Sequence, residues 1–157
     1  MKFDKNQMEN EAKNRICVFF QAIFEIEKQY YEQIRSALLS ELNENNIQPQ
    51  KSRDDFKKLA SEVTSKFKNL FIDFVNGANV MRGEDENGIN IMWPSKYDLS
   101  LGGFLPAEFS GEKIILTFQP IDNTQKLKFV LKKDGVFKII KSSYFDEFSN
   151  KWKNHVL

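Results

Sequence analysis

Phe129-Val130-Leu131-Lys132-Lys133-Asp134-Gly135-Val136-Phe137-Lys138-Ile139-Ile140 decides how this chain is read. Apolar and polar residues alternate on both sides of Asp134-Gly135, the period of a half-buried strand that turns back on itself. Two registers are open. A two-residue Asp134-Gly135 turn sets Lys133 opposite Val136 and puts Lys138 on the face of Leu127, Phe129 and Leu131. A three-residue Lys133-Asp134-Gly135 loop, with the glycine left-handed, shifts the pairing by one. Leu127, Phe129, Leu131, Phe137 and Ile139 then share one face, while Lys126, Lys128, Lys132 and Lys138 take the other. A one-residue slip exchanges the faces of a strand. The second register is therefore the expected one, and it gives an antiparallel sheet with an apolar inner face and a lysine-rich outer face.

Upstream, three strands are expected at 113–119, 125–132 and 136–141, the first from the alternation of Ile114, Leu116 and Phe118. Residues 78–82 and 89–93 read as two more, flanking the turn Glu84-Asp85-Glu86-Asn87-Gly88. Between them, 94–112 holds Pro94, Gly102, Gly103, Pro106 and Gly111, and reads as a loop with at most a short strand. Downstream, Ser143 with Asp146 looks like the cap of a short C-terminal helix, whose Phe145, Phe148 and Trp152 would pack back on the body.

The first half has the helical period. Met8, Ala12, Ile16, Phe19, Phe20, Ile23, Tyr30, Ile34, Leu38 and Leu42 recur at steps of three and four, which predicts a helix over 5–43 capped by Asp4 and Gln7. Such a helix is about 58 Å long, more than one domain of this size needs. Either it bends, or its end projects and packs on another chain. A second helix is expected over 53–76, capped by Ser52 and Asp55 and stopped by Asn76-Gly77. The fold class is thus α+β: two N-terminal helices packed on a curved antiparallel sheet, then a short C-terminal helix, as a single domain over 1–157.

The composition suits that reading. The chain has 157 residues with 15 Phe, 2 Trp and 4 Tyr, enough to bury about two-thirds of its unfolded surface without a disulfide or metal staple. Charge is balanced, 23 basic against 22 acidic residues, so nothing draws the whole chain toward nucleic acid or anionic membrane. Cys17 alone cannot make an internal disulfide, which suits a reducing compartment. No stretch approaches the roughly 20 apolar residues of a membrane span, and the first residues lack an apolar signal core. A cytoplasmic protein is expected.

The hairpin at 129–140, preceded by two helices and a strand pair, resembles the nuclear transport factor two-like superfamily. Its last hairpin often reads as an apolar strand, an Asp-Gly turn, an aromatic, Lys and Ile. The resemblance covers mainly residues 78–141. It implies a sheet curled around a long helix into a cone with a pocket. Members include small isomerases and dehydratases, ligand-binding domains, dimerisation modules and bacterial immunity proteins that neutralise toxins. No Asp–His pair of the catalytic members can be placed on this chain, and its long first helix and terminal helix depart from the pattern.

Chemistry is sparse. His155 is the lone histidine, and a frayed end is its expected state. One Cys and one His make no zinc site, and Glu84, Asp85 and Glu86 lack the ligand ladder of a calcium loop. Gly102-Gly103 opens no phosphate loop. No cofactor and no metal are expected. Asp73 and Asp98 are the candidate bases, with Tyr97 beside them, if the domain is a pocketed cone. Charge is segregated: residues 80–112 carry six acidic and two basic side chains, residues 113–157 nine basic and four acidic. The lysines lack interleaved aromatics or arginines, so a solvated face is expected there and not a nucleic-acid platform. The acidic turn stands near the aromatics Trp93 and Phe104, the kind of anchor that interfaces favour. The expected function is a non-enzymatic protein-binding domain, as in immunity proteins, with Glu84, Asp85, Glu86, Trp93, Tyr97, Asp98 and Phe104 as its partner surface. A small-molecule-binding or isomerase-like cone with an aspartate base is the alternative, and a homodimer through the long first helix a third reading.

Overall fold

The computed structural model describes residues 4–42, 47, 49–77, 80–86, 88–121 and 125–157. Helix α1 spans Lys5–Leu42, and the Asp4 side chain accepts from the Gln7 amide at 3.2 Å, as a helix cap requires. Helix α2 spans Pro49–Phe74. It begins ahead of the expected cap, because a proline in the first turn loses no hydrogen bond there, and Ser52 lies inside it. After α2 the chain leaves as a parallel bridge between Val75 and Ile139.

Six strands follow: β1 Gly102–Phe104, β2 Glu108–Ser110, β3 Lys113–Pro120, β4 Leu127–Asp134, β5 Val136–Asp146 and β6 Lys151–Asn154. They form one antiparallel sheet in the order β1-β3-β4-β5-β6, with β1 and β2 end to end along the same edge of β3. The expected faces hold: Leu127, Phe129, Leu131, Phe137 and Ile139 are all buried. The turn is tighter than the three-residue loop that argued for them. Asp134 pairs with Val136, leaving Gly135 between them at a φ of 73°, where only glycine sits without strain. Further along, a bulge between Val130 and Leu131 leaves Ile140 unopposed. Beyond it the inward parity of β5 changes, and Ser142 and Tyr144 now point where Phe137 and Ile139 pointed.

Three expectations about elements fail. Residues 94–112 hold two short strands, β1 and β2, where at most one was expected. The strands at 80–82 and 89–93 are irregular segments, with only a bridge between Asp85 and Gly88; residues 78–79 and 87 lie outside the described ones. The short C-terminal helix is also absent. Ser143 is a paired strand residue, opposite Lys128 and Asn154. Asp146 ends β5 and accepts from the Phe148 amide at 3.2 Å and the Ser149 hydroxyl at 2.8 Å, which turns the chain into β6. Phe148 is fully exposed at that turn, and Phe145 and Trp152 pair across β5 and β6 instead of packing on the body.

The two helices cover the inner face. Ala12, Ile16, Phe19, Phe20 and Ile23 from α1 and Val63, Phe67 and Phe71 from α2 are buried against it. Phe20 is the hub: its ring lies 5.4 Å from both Phe118 and Phe129 and 5.1 Å from Tyr97. The interior between helix and sheet is therefore filled with rings.

Candidate functional site

Beyond Tyr30 no described residue of α1 is buried, and none of α2 before Ala60. The tip of the helical hairpin thus carries its apolar stripe past the buried core, one of the two outcomes that the excess length of α1 left open. Leu38 is 39% exposed, Leu39 57% and Leu42 76%. A groove of about 720 Å³ runs along these residues. Ile34, Leu38, Leu39 and Leu42 form the α1 wall and Phe56 and Ala60 the α2 side; Ile89, Ile91, Trp93 and Asp85 close it from the following loop.

That loop is held in place from both helices. The Ile89 amide donates to the Thr64 hydroxyl at 2.8 Å, and Thr64 donates to the Ala60 carbonyl at 2.7 Å. Trp93 stacks on Tyr31, with ring centres 5.7 Å apart, and packs on Phe24 at 5.9 Å. It remains 38% exposed, so one side of the indole is fixed by α1 and the other faces the groove. Arg35 and Asp85 supply one charge of each sign to the lining.

A buried polar network lies behind Trp93. Glu27 is fully buried on the inner face of α1. Its carboxylate accepts from the Met92 amide and, at 3.0 Å, from the Ser95 hydroxyl; Arg82 Nη1 stands 3.6 Å away. Arg82 also donates to the Asn90 carbonyl at 2.8 Å and, through Nε, to the Leu157 main-chain oxygen at 3.1 Å. His155 is buried, with Nε2 3.1 Å from the Tyr97 hydroxyl, and its own amide donates to the Ser142 carbonyl at 2.9 Å. The expectation of a frayed His155 is overturned: the last strand and its tail are pinned to the body through residues distant in sequence.

Burial raises the Glu27 carboxyl above its ordinary range against the pull of Arg82, and raises the Tyr97 phenol as well. Burial, then the charges of Lys96 and Arg82, push His155 from 6.5 down to about 4. Between those two values the unfolded chain takes up a proton that the folded domain refuses, so His155 makes stability fall as pH drops through that window. Glu27 acts in the opposite sense, since its raised value lets the folded form take the proton first, starting from higher pH. We expect His155→Gln to flatten the acid side of the stability profile, measured as urea midpoints from neutral pH to about pH 4. An unchanged profile would show that His155 does not titrate in that window.

The seven expected partner-surface residues do not form one patch. Asp85 and Trp93 meet in the groove. Glu84 is beside them but pairs with Lys68 at 2.6 Å, and Glu86 is exposed at the α2 side of the same turn. Tyr97 is 2% exposed and cannot be a contact surface. Asp98 is spent on the 3-10 turn Leu99–Leu101, accepting from the Ser100 amide at 2.9 Å. Phe104 packs on Phe20 and Phe118 at 5.9 and 5.3 Å. Asp73 is exposed, and its main-chain carbonyl receives Arg15. Gly102 lies so close to Gln119 on β3 that a side chain would collide with the backbone, a packing reason for that glycine. Sequence reasoning missed Glu27, Arg82 and the leucine wall. The signal for Glu27 was its place in the stripe, four residues after Ile23 and three before Tyr30, where a carboxylate is out of pattern.

Among the described residues, no cluster of three or more His, Cys, Asp or Glu could hold a metal, and no helix is long and apolar enough to cross a membrane. Comparison with protein-family models, curated proteins and solved structures finds no match.

Proposed function

We propose that this chain is a non-enzymatic protein-binding domain acting in the cytoplasm, and that the hairpin-tip groove is its docking site. The observation that carries this reading is the groove itself, a set of exposed leucines with an aromatic anchor and a single pair of opposite charges on its rim. Such a lining suits the apolar face of a partner helix, read at steps of three and four residues. The superfamily resemblance adds the more particular form: a bacterial immunity protein that neutralises a toxin by occupying its surface. The cone reading with an aspartate base has less support. Rings fill the interior where its pocket would lie, neither Asp73 nor Asp98 lines the groove, and the groove's one carboxylate, Asp85, is exposed and accepts from Asn90 at 2.8 Å.

Affinity purification from native lysate, with mass spectrometry and light scattering, tests the proposal. Expected is a stoichiometric protein partner, with Trp93→Ala and Leu39→Asp each weakening its binding about 30-fold, the scale of a central anchor. A bound metabolite with no protein partner, or binding indifferent to both changes, would overturn it.

A further inference from the structure

Strand pairing sets Lys113 beside Lys132, and Lys132 beside Lys138, so three lysines stand abreast across β3, β4 and β5. Like charges directly opposite one another destabilise a sheet. Strand β4 is paired along both sides, so the protection that lysines give to sheet edges does not explain Lys128 and Lys132. The chain answers part of this charge itself: Glu112 approaches Lys132 at 3.8 Å, and Lys138 donates to the Ile72 carbonyl at 3.2 Å.

Further along the same outer face stand Lys126, Lys128 and Lys141, with the aromatics Phe145 and Trp152. The Lys128 ammonium is 3.9 Å from the Trp152 ring centre, and that of Lys126 is 6.0 Å from Phe145. The two rings meet edge to face at 5.3 Å. Between the lysine groups lie Ile115, Thr117 and Val130, uncharged and half-buried. The aromatics that the sequence did not place among the lysines are thus supplied by the hairpin β5–β6.

We infer that this outer sheet face docks an acidic protein surface, with carboxylates over the lysines and apolar groups over Val130 and the Trp152–Phe145 pair. The argument is charge complementarity: a row of cations on paired strands, answered only in part from within the chain, is relieved by an anionic partner. The face is separate from the groove, so the inference stands whatever occupies the groove. Single-stranded nucleic acid is the competing polyanion, but bases stack on open rings, and Trp152 carries Lys128 across its ring. Arg15, Arg35, Arg53 and Arg82 all lie outside the sheet.

The test is fluorescence anisotropy with a labelled random copolymer of glutamate and tyrosine, using the intact chain at low salt. Binding is expected, weakened by added salt and by roughly tenfold or more in Lys128→Glu/Lys141→Glu. Thermal melts check the fold of that variant; if it fails to fold, Lys128→Gln/Lys141→Gln takes its place with the same direction expected. Tighter binding of an oligothymidylate or of phosphatidylserine vesicles than of the copolymer would overturn the inference. So would absence of copolymer binding, or binding that the substitutions leave unchanged.

Discussion

Replacing Arg82 by alanine lowers the free energy of unfolding by about 3–5 kcal/mol, the cost of breaking a buried ion pair from one side. Three acceptors lose their donor together: the Glu27 carboxylate, the Asn90 carbonyl and the Leu157 main-chain oxygen. Glu27 is the costly one, because it is fully buried and has only Met92 and Ser95 left to hold its charge. Without Arg82 its carboxyl rises further, so the deficit of the variant shrinks as pH falls toward 4.5 and the proton returns. Substituting both members, Glu27→Leu with Arg82→Met, removes the buried charges together and recovers most of the loss. Urea unfolding of the two variants at neutral and acid pH reads all three statements. A loss under about 1 kcal/mol for Arg82→Ala would mean that water reaches the pair and that it behaves like a surface bridge.

Phe20→Ala is the second large effect, about 3–5 kcal/mol for an aromatic truncated in a filled core. The ring touches Tyr97, Phe104, Phe118 and Phe129, so its removal parts α1 from β1, β3 and β4 and from the loop that carries Trp93. No neighbour can close the gap without moving a strand, and packed interiors relax only partly around such a hole. Val18→Ala is the matched control on the same helix. Val18 is 57% exposed, and surface changes of this kind stay within about 0.5 kcal/mol. Equal losses at the two positions would contradict the placement of the core.

What could be read from the sequence followed how locally each element is determined. Both helices and the strands from Lys113 to Ile139 were legible, because one face of each is buried and the burial writes its period into consecutive residues. The segment 80–101 was not. Its conformation is set by Thr64 and Glu27, which belong to helices far away in the chain, and nothing within the segment records them. The C-terminal helix was misread for a related reason. Ser143 and Asp146 have the spacing of a cap, and Ser142-Ser143-Tyr144-Phe145 loses its alternation because the bulge at Ile140 has changed phase. Of the candidate surface, the acidic turn and Trp93 were recognisable by composition. Whether a given aromatic became a groove wall, as Trp93 did, or core, as Tyr97 and Phe104 did, depends on tertiary neighbours that the chain does not announce.

The unopposed Ile140 makes β5 behave like a text with two reading frames. Its first half is spelled for the core in odd positions and its second half in even ones. Were Ile140 paired opposite Val130 instead of bulged out, the odd frame would run on to the end of the strand. Phe145 would then be driven inward and Tyr144 outward, and β6 would arrive with its partners inverted. The whole closing hairpin, with the His155 anchor behind it, hangs on one supernumerary amino acid that touches neither the groove nor the buried network.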